Sequence, residues 1–204
     1  MKIIGIDPGL SGALAFLDAG KLTDIVDIEA SQSRINAAHL AAVIQRWQPD
    51  FAVCESVTAR PGQGVTSMFT FGHGLGTITA VLTTLGVPYL LIRPQAWQSH
   101  FEIQSPSSAK AEHKREIADR AEALFPGAPL YGPRGALKDG RSDALLLARY
   151  AHDQLSWMHP DAFCEAHTPK PNAKAKKATA TSPKPRKPRI KAPPTVALYP
   201  TVAL

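Results

Sequence analysis

Along residues 1–155, short continuous hydrophobic runs alternate with stretches of helical hydrophobic spacing. The continuous runs predict buried strands at residues 2–7, 13–17, 25–28, 51–54 and 87–92. The helical spacing predicts helices over residues 35–47, 65–85, 110–124 and 143–155. In chain order, three strands come first and helices and strands then alternate. This order predicts an α/β fold, a mixed sheet with helices on its faces.

The pattern ends near residue 160, where the composition changes. Residues 165–204 hold nine Lys or Arg against one acidic residue, together with eight of the eighteen prolines. Few large apolar residues remain to offset the entropy of ordering. We therefore expect one folded domain at residues 1–160 and a disordered Lys/Pro/Ala-rich tail at residues 161–204. The tail ends in a repeated Pro-Thr-Val-Ala-Leu within residues 194–204, either a docking peptide or a duplication without function.

The net charge of +6 belongs to the end of the chain. Residues 165–204 carry +8, and +6 less +8 leaves −2 for residues 1–164. A basic tail of this kind binds polyanions, with nucleic acid the first candidate and an anionic membrane surface the second. We expect the tail to add non-specific DNA contacts.

Other features of composition indicate a cytoplasmic protein with no membrane segment. No run of about eighteen apolar residues predicts a membrane span, and no signal-peptide pattern precedes the first strand. The two cysteines, Cys54 and Cys164, form neither a disulfide framework nor a zinc-binding spacing.

Three acidic residues lie at the ends of predicted elements: Asp7 and Glu55 end strands, and Asp143 begins the last helix. Each has an ordinary explanation alone, as a turn residue, a solvated strand end or a helix cap. Together they predict a carboxylate cluster, and clustered carboxylates repel one another unless a divalent metal lies between them. Two such ions about 4 Å apart support phosphodiester hydrolysis. Asp139 shares a face with Asp143 if the helix begins early.

The segments around these acids carry a family resemblance. Residues 3–15, 53–55 and 142–148 resemble the three metal-binding segments of the RuvC family of Holliday-junction resolvases, and residues 71–76 and 88–97 fall where that family has them. The resemblance covers roughly residues 1–155. It implies an RNase H-like fold, a homodimer, two Mg²⁺ (or Mn²⁺) per active site, and paired symmetric nicks across a four-way DNA junction. The short form with a Lys/Pro tail is more similar to the phage-borne branch, which implies the cytoplasm of a bacterium or infected host, at the nucleoid.

The sequence departs from the family pattern at Gly140. Family members usually have an acid or histidine there, three residues before the last aspartate. Asp139 is the nearest substitute, so the resemblance implies a catalytic and metal-binding set of Asp7, Glu55, Asp139 and Asp143. It also implies a lysine beside the metal, which we assign to Lys114 and expect to stabilise the scissile phosphate or orient the water. A solvated helix face is the plainer explanation of that lysine.

Basic and aromatic residues near the acids are candidates to hold DNA. Phosphate contacts are expected from Arg60, Gln63, Lys110, His113, Arg115, Arg134, Lys138 and Arg141, with Arg93 and Trp97 on the same surface. Phe69 and Phe71 are candidates to stack on unpaired bases, although aromatic residues in an apolar helix are usually core. His73 is either a metal ligand or, more simply, a packed or interface residue. Close approach of another helix, that of a dimer partner, would explain Gly72, Gly74 and Gly76.

Three other functions compete with junction resolution. An endonuclease for a broader range of branched DNA in phage replication or packaging would use the same site. A non-catalytic junction-binding protein would keep the fold but have no need of the three acids. A sugar kinase or actin-like ATPase begins with a similar Asp-Gly hairpin, yet requires a second glycine-rich phosphate loop and an adenosine motif, and the sequence has neither.

Overall fold

A five-stranded mixed sheet forms the centre of the fold. The computed structural model describes residues 1–56, 62, 64–103 and 110–168. Its strands are β1 (Lys2–Ile6), β2 (Ala13–Asp18), β3 (Lys21–Asp27), β4 (Ala30–Ser31), β5 (Arg34–Ile35), β6 (Phe51–Glu55) and β7 (Tyr89–Ile92). The sheet order is β3-β2-β1-β6-β7, while β4 and β5 form a separate small hairpin. β1 pairs antiparallel with β2 and parallel with β6, and β6 pairs parallel with β7.

Helices cover both faces of this sheet. In the described part of the chain they are α1 (Ala37–Trp47), α2 (Val65–Thr84), α3 (Pro94–His100), α4 (Lys110–Leu124), α5 (Asp139–Leu155) and α6 (Pro160–His167). One apolar cluster packs α1 and α2 on one face of the sheet. A second cluster packs the four helices α3, α4, α5 and α6 on the other face. A strand covered on both faces is apolar throughout rather than alternating, which explains the continuous hydrophobic runs.

Helix α5 packs closely against β1. Side chains alternate across β1, so Ile4 points towards α1 and α2 while Gly5 lies under α5. A Cβ atom on Gly5 would overlap the carbonyl of Ala144 and lie 2.5 Å from the backbone nitrogen of Ala148. Glycine therefore lets the backbone of α5 lie directly on the strand that ends at Asp7.

The expected fold class is confirmed: a mixed sheet is flanked by helices in the RNase H-like arrangement. All five expected strands and all four expected helices are present. The expectations missed the β4–β5 hairpin and the short helices α3 and α6, and they began α5 at residue 143, one turn too late. Short elements were missed because a few residues give too little periodicity to detect.

Helix α6 begins at residue 160, where the domain was expected to end, and packs on the folded unit. Phe163 is fully buried, with its ring centroid 6.2 Å from that of Phe51 and 6.0 Å from that of Tyr150. The compact unit therefore runs from Met1 to Thr168. Residues 169–204, which include the repeated pentapeptide, lie outside the described residues.

Helix α2 bears on the expectation of no membrane segment. It has no charged side chain, and by length and a mean hydropathy of 1.2 it could cross a membrane; it alone meets this test among the described helices. Threonine and glycine interrupt the apolar residues of α2, so the helix contains no long uninterrupted apolar run. Only 17% of that stretch is buried within the protomer, so α2 is not a buried core helix, and the absence of a membrane partner stays a prediction.

Candidate active site

Asp7 and Glu55 lie side by side at the carboxyl edge of the two parallel central strands. β1 and β6 are in register with Ile6 opposite Cys54, so the next residue on each strand, Asp7 and Glu55, face each other. Side-chain alternation puts both on the α5 side of the sheet, since Val53 belongs to the core cluster on that side. The edge where the carboxyl ends of the strands meet thus carries two adjacent carboxylates, as the sequence predicts.

The first turn of α5 brings two further carboxylates to this edge. Asp139 is the first residue of the helix and Asp143 lies four residues later, so both share one helical face. Asp7, Asp139 and Asp143 affect one another electrostatically, and the charge of Glu55 acts on Asp143 as well. The structure therefore brings all four expected acids together.

Gly140 has a packing reason to lack a side chain. A Cβ atom there would lie 2.7 Å from Cα of Gly12 and 2.8 Å from both Oδ2 of Asp7 and the carbonyl oxygen of Ser11. Real Cβ atoms do not approach other atoms so closely. Because α5 begins against the β1–β2 loop, no acid or histidine fits at position 140, and the fourth carboxylate comes from Asp139.

Burial and mutual repulsion raise the pKa values of two of these acids. Burial, together with the nearby charge of Asp139, raises the pKa of Asp7 to about 6 against the lowering effects of the Gly9 N–H and Lys114. Burial and then the charges of Asp7, Glu55 and Asp139 hold the pKa of Asp143 well above its usual range. The protein thus places negative charge where that charge is unfavourable, as expected of a site that awaits a cation.

Three neighbouring groups orient the carboxylates. The backbone N–H of Gly9 donates to Oδ1 of Asp7 at 3.3 Å, and the indole N–H of Trp97 donates to Oε1 of Glu55 at 3.3 Å. Lys114, on α4, forms an ion pair with Asp139. The expected lysine therefore does lie at the cluster rather than on a solvated face. Trp97 is fully buried and supports Glu55, so its expected place on a DNA-contacting surface was wrong.

The donor set suits a hard divalent cation, because Mg²⁺ and Mn²⁺ prefer carboxylate oxygens and their charge would relieve the repulsion. The side chains as they stand are not closed around an ion. Within the described ranges, no group of three or more His, Cys, Asp or Glu converges closely enough to hold one metal.

Arg141 was expected to contact a DNA phosphate, but its guanidinium is bonded within the protein. Its Nε and Nη2 atoms donate to the two carboxylate oxygens of Asp27 at 2.6 and 2.9 Å, and its Nη1 donates to the carbonyl of Pro129 at 2.6 Å. Its side chain is 18% exposed. Hydrogen bonds and charge from Arg141 also hold the pKa of Asp27 below its usual range. Arg141 therefore connects β3 to α5, and no pattern in the sequence indicates that Asp27 is its partner.

The other basic candidates have different surroundings. Lys138 precedes α5, and its Nζ lies 3.6 Å from Oδ2 of Asp27. Lys110 is exposed at the start of α4, and Arg115 lines a shallow surface groove that three acidic residues share. Arg93 and Arg134 are exposed. Arg60 and Gln63 lie outside the described residues.

Helix α2 separates the glycines that the sequence grouped together. Gly74 is buried and packs inside the fold. A Cβ atom added to it would lie 3.4 Å from the carbonyl oxygen of Pro8. Gly72 and Gly76 are exposed, and a Cβ atom on either would meet nothing within 4 Å. Phe69 is 74% exposed, so the ordinary expectation that it is a core residue was wrong. His73 is exposed and Phe71 is partly buried.

The sheet, its strand order and the helices on its faces define an RNase H-like fold. Two solved structures of Thermus thermophilus RuvC, the second in complex with Holliday junction substrate, share the fold with TM-scores of 0.55 and 0.56 at 19% identity, over 76% and 77% of this chain and 96% of theirs. The fowlpox virus resolvase in complex with substrate Holliday junction DNA has a TM-score of 0.50 at 14% identity, over 76% of this chain and 99% of that one. No model of a known protein family and no curated protein matches the sequence.

Proposed function

We propose that this chain is a metal-dependent endodeoxyribonuclease that resolves four-way DNA junctions by paired symmetric nicks. The observation that carries the proposal is the placement of Asp7, Glu55, Asp139 and Asp143 at one edge of the sheet by β1, β6 and α5, with the pKa values of Asp7 and Asp143 raised by burial and the neighbouring negative charges. The fold, shared with resolvases solved on junction DNA, supports this choice of substrate.

The four acids would hold Mg²⁺, for which Mn²⁺ can substitute, with two ions per site. The metal supplies a Lewis acid that lowers the pKa of water and neutralises charge developing on the phosphate. Within the protein, Gly9 orients Asp7 and Trp97 orients Glu55 through the hydrogen bonds described above. The ammonium of Lys114, which is paired with Asp139, would stabilise the charge of the scissile phosphate.

We further propose a homodimer, because symmetric nicks need two active sites on one junction. An exposed face of α2 suits this contact: Phe69, Gly72, His73, Gly76 and Ala80 recur on it at helical spacing. Two glycines with open space above them let a second helix pack at short interaxial distance. The exposed ring of Phe69 would be buried in the same contact.

A panel of labelled substrates tests the activity. Four-way junctions, forks and linear duplexes are incubated with Mg²⁺ and either wild type, Asp7→Asn or the control Asp18→Asn, which alters an exposed acid at the end of β2. Symmetric nicks on the junction that are lost only in Asp7→Asn support the proposal. Equal cutting of forks and junctions favours the broader branched-DNA endonuclease, junction binding without cleavage favours the non-catalytic protein, and equal cutting of linear duplex refutes junction specificity.

Sedimentation analysis tests the dimer. Gly76→Leu should convert a dimer to a monomer without unfolding it, since Gly76 is exposed and nothing in the protomer lies within 4 Å of a Cβ atom placed there. Ala42→Leu makes the same kind of enlargement on the exposed part of α1 and should leave the dimer intact. A dimer that survives Gly76→Leu contradicts the α2 interface.

The basic tail would add non-specific affinity for DNA. Residues 169–204 contain nine Lys or Arg and no acidic residue. Deleting them should weaken DNA binding and flatten its salt dependence, because each neutralised phosphate contributes about −0.9 to the log–log slope. The rate of cleavage at saturating DNA should not change. An unchanged slope would show that the tail does not bind DNA.

A further inference from the structure

Residues 130–138, here called the site hairpin, form a short closed loop directly before α5. Tyr131 and Leu137 form an antiparallel bridge, and the Lys138 N–H donates to the Leu130 carbonyl at 2.9 Å. At the other end, the Gly135 N–H donates to the Gly132 carbonyl at 2.9 Å. This bond closes a turn with Pro133 and Arg134 at its tip, and the positive φ of Gly135 (75°) fits the end of such a turn.

The base of the site hairpin is held firmly. Leu130 is fully buried in the core. Arg141 donates a hydrogen bond to the carbonyl of the preceding residue, Pro129, while its other two nitrogens donate to the carboxylate of Asp27 at the end of β3. One guanidinium therefore joins the hairpin base, the sheet and the first turn of α5, so the hairpin is fixed relative to the carboxylates.

The site hairpin is also close to the active site. Its last residue, Lys138, is the cap of α5, and Asp139 follows at once. Two residues of extended chain span about 7 Å and a bridged pair is about 5 Å apart, so the backbone of Tyr131 lies within about 12 Å of Asp139. DNA advances about 3.4 Å per nucleotide of one strand. Tyr131 is therefore at most about four nucleotides from a phosphate held at the carboxylates.

The exposed groups of the hairpin are suited to nucleic acid. Tyr131 is 51% exposed, and Arg134 is exposed with no ion pair or hydrogen bond to any described residue. Residues 130–138 carry two positive charges and no negative one. A guanidinium binds phosphate on any DNA, whereas an aromatic ring stacks on a base only where that base is unstacked from its neighbours.

We propose that the site hairpin holds the branch point of the DNA at the carboxylates, with Tyr131 stacked on an unpaired base and Arg134 on a flanking phosphate. The inference rests on the proposed junction substrate and assigns part of the preference for branched over linear DNA to one residue, Tyr131. Arg134 supplies affinity for either kind of DNA.

Binding measured in EDTA tests the proposal without cleavage. Affinities of the full-length protein for a four-way junction and for a duplex of the same arm sequence are compared for wild type, Tyr131→Ala, Tyr131→Phe and Arg134→Ala. Trp157→Ala is the matched control, because Trp157 is a 72% exposed aromatic beyond the far end of α5, about 25 Å from Asp139. All the altered side chains are exposed, and thermal unfolding verifies that each variant is folded.

We expect Tyr131→Ala to lower the junction-to-duplex affinity ratio about tenfold, with Tyr131→Phe and Trp157→Ala near wild type. Arg134→Ala should weaken binding to both DNAs alike and reduce the salt slope by about one. If wild type prefers the junction and Tyr131→Ala keeps the same junction-to-duplex affinity ratio, the hairpin proposal alone is overturned. The same holds if Tyr131→Phe lowers that ratio as much as Tyr131→Ala does. A wild-type protein with no preference for the junction overturns the proposed function as well.

Discussion

The two ends of α5 hold aspartates in opposite circumstances. Near its start, Asp143 lies among three other carboxylates, and burial with their charges raises its pKa well above the usual range. Near its end, burial alone would raise the pKa of Asp153, but hydrogen bonds from His100 and Arg149, the charge of Arg149 and a hydrogen bond from His152 together lower it. The Arg149 bond is 2.6 Å long and the His100 contact 3.1 Å.

This difference separates an acid whose charge the fold compensates from acids whose charge burial and like charges disfavour. At the far end of α5, every neighbour of Asp153 named above favours its charged form, so the group is satisfied within the protein. At the near end, Lys114 acts to lower the pKa values of Asp7 and Asp143, but burial and the charges of the neighbouring carboxylates prevail. Since burial of unbalanced charge costs stability, such an arrangement persists when a function requires it.

The largest expected contrast between the two ends is in activity. Asp143→Asn should reduce junction cleavage by at least about a hundredfold, because even residues that only orient a metal ligand cost 10–100-fold when lost. Asp153→Asn is the matched change at the other end of the same helix and should leave the cleavage rate within about threefold at a temperature where it is folded. Equal losses in single-turnover rates would show that the two ends do not differ in function.

Position 140 tests whether the tight packing at the near end is required. Gly140→Ala should cost about 1–3 kcal/mol of stability, because the new methyl would lie 2.7–2.8 Å from Gly12, Asp7 and Ser11. Gly9→Ala adds a methyl to the same loop at an ordinary 3.6 Å from Asp7 and is the control. Urea unfolding in EDTA gives both values. If Gly140→Asp, which supplies the acid usual in the resembled family, were stable and active, the packing argument would fail.

The sequence predicted the near end of α5 better than the far end. Asp7, Glu55 and Asp143 lie at the ends of strongly apolar elements, where the ends of strands and helices can be placed from the pattern alone. Asp139 was a candidate from its spacing of four residues before Asp143, whereas its role as fourth ligand and the choice of Lys114 came from the family resemblance. By contrast, His100 and Arg141 pair with Asp153 and Asp27 from other elements, and no local pattern reports which side chains meet across a fold. Arg149 is a local partner of Asp153, four residues before it on α5. The lack of a local pattern also hid the contact of Arg141 with Asp27, which sequence alone could not distinguish from a DNA contact.

Without metal, replacing an aspartate by asparagine should have opposite effects on stability at the two ends of α5. The pKa of Asp7 is raised to about 6 in the folded protein, above about 3.9 for an unfolded chain. Its contribution to stability therefore declines as pH rises from about 4 through 6, and the cost is complete at neutral pH. Asp7→Asn should remove up to about 3 kcal/mol of this cost and raise the thermal midpoint in EDTA at pH 7.5. Mg²⁺ should stabilise wild type but not the variant; a variant less stable than wild type in EDTA would contradict the idea of an unbalanced cluster.

The smallest expected effect is at Asp153. Because its folded pKa is lowered, its stabilisation is present above the unfolded value of about 3.9 and is lost as pH falls through the lower folded value. Asp153→Asn should therefore cost about 1–2 kcal/mol at pH 7, in keeping with the loss of charged hydrogen bonds, and almost nothing near pH 2. Asp161→Asn, an exposed acid on α6, should cost less than about 0.5 kcal/mol at either pH. Urea unfolding at both pH values measures these differences.

A loss of stability in Asp153→Asn that does not depend on pH would mean that the partners of Asp153 stabilise the fold by packing rather than by charge. The contrast between the two ends of α5 would then rest on the near end alone.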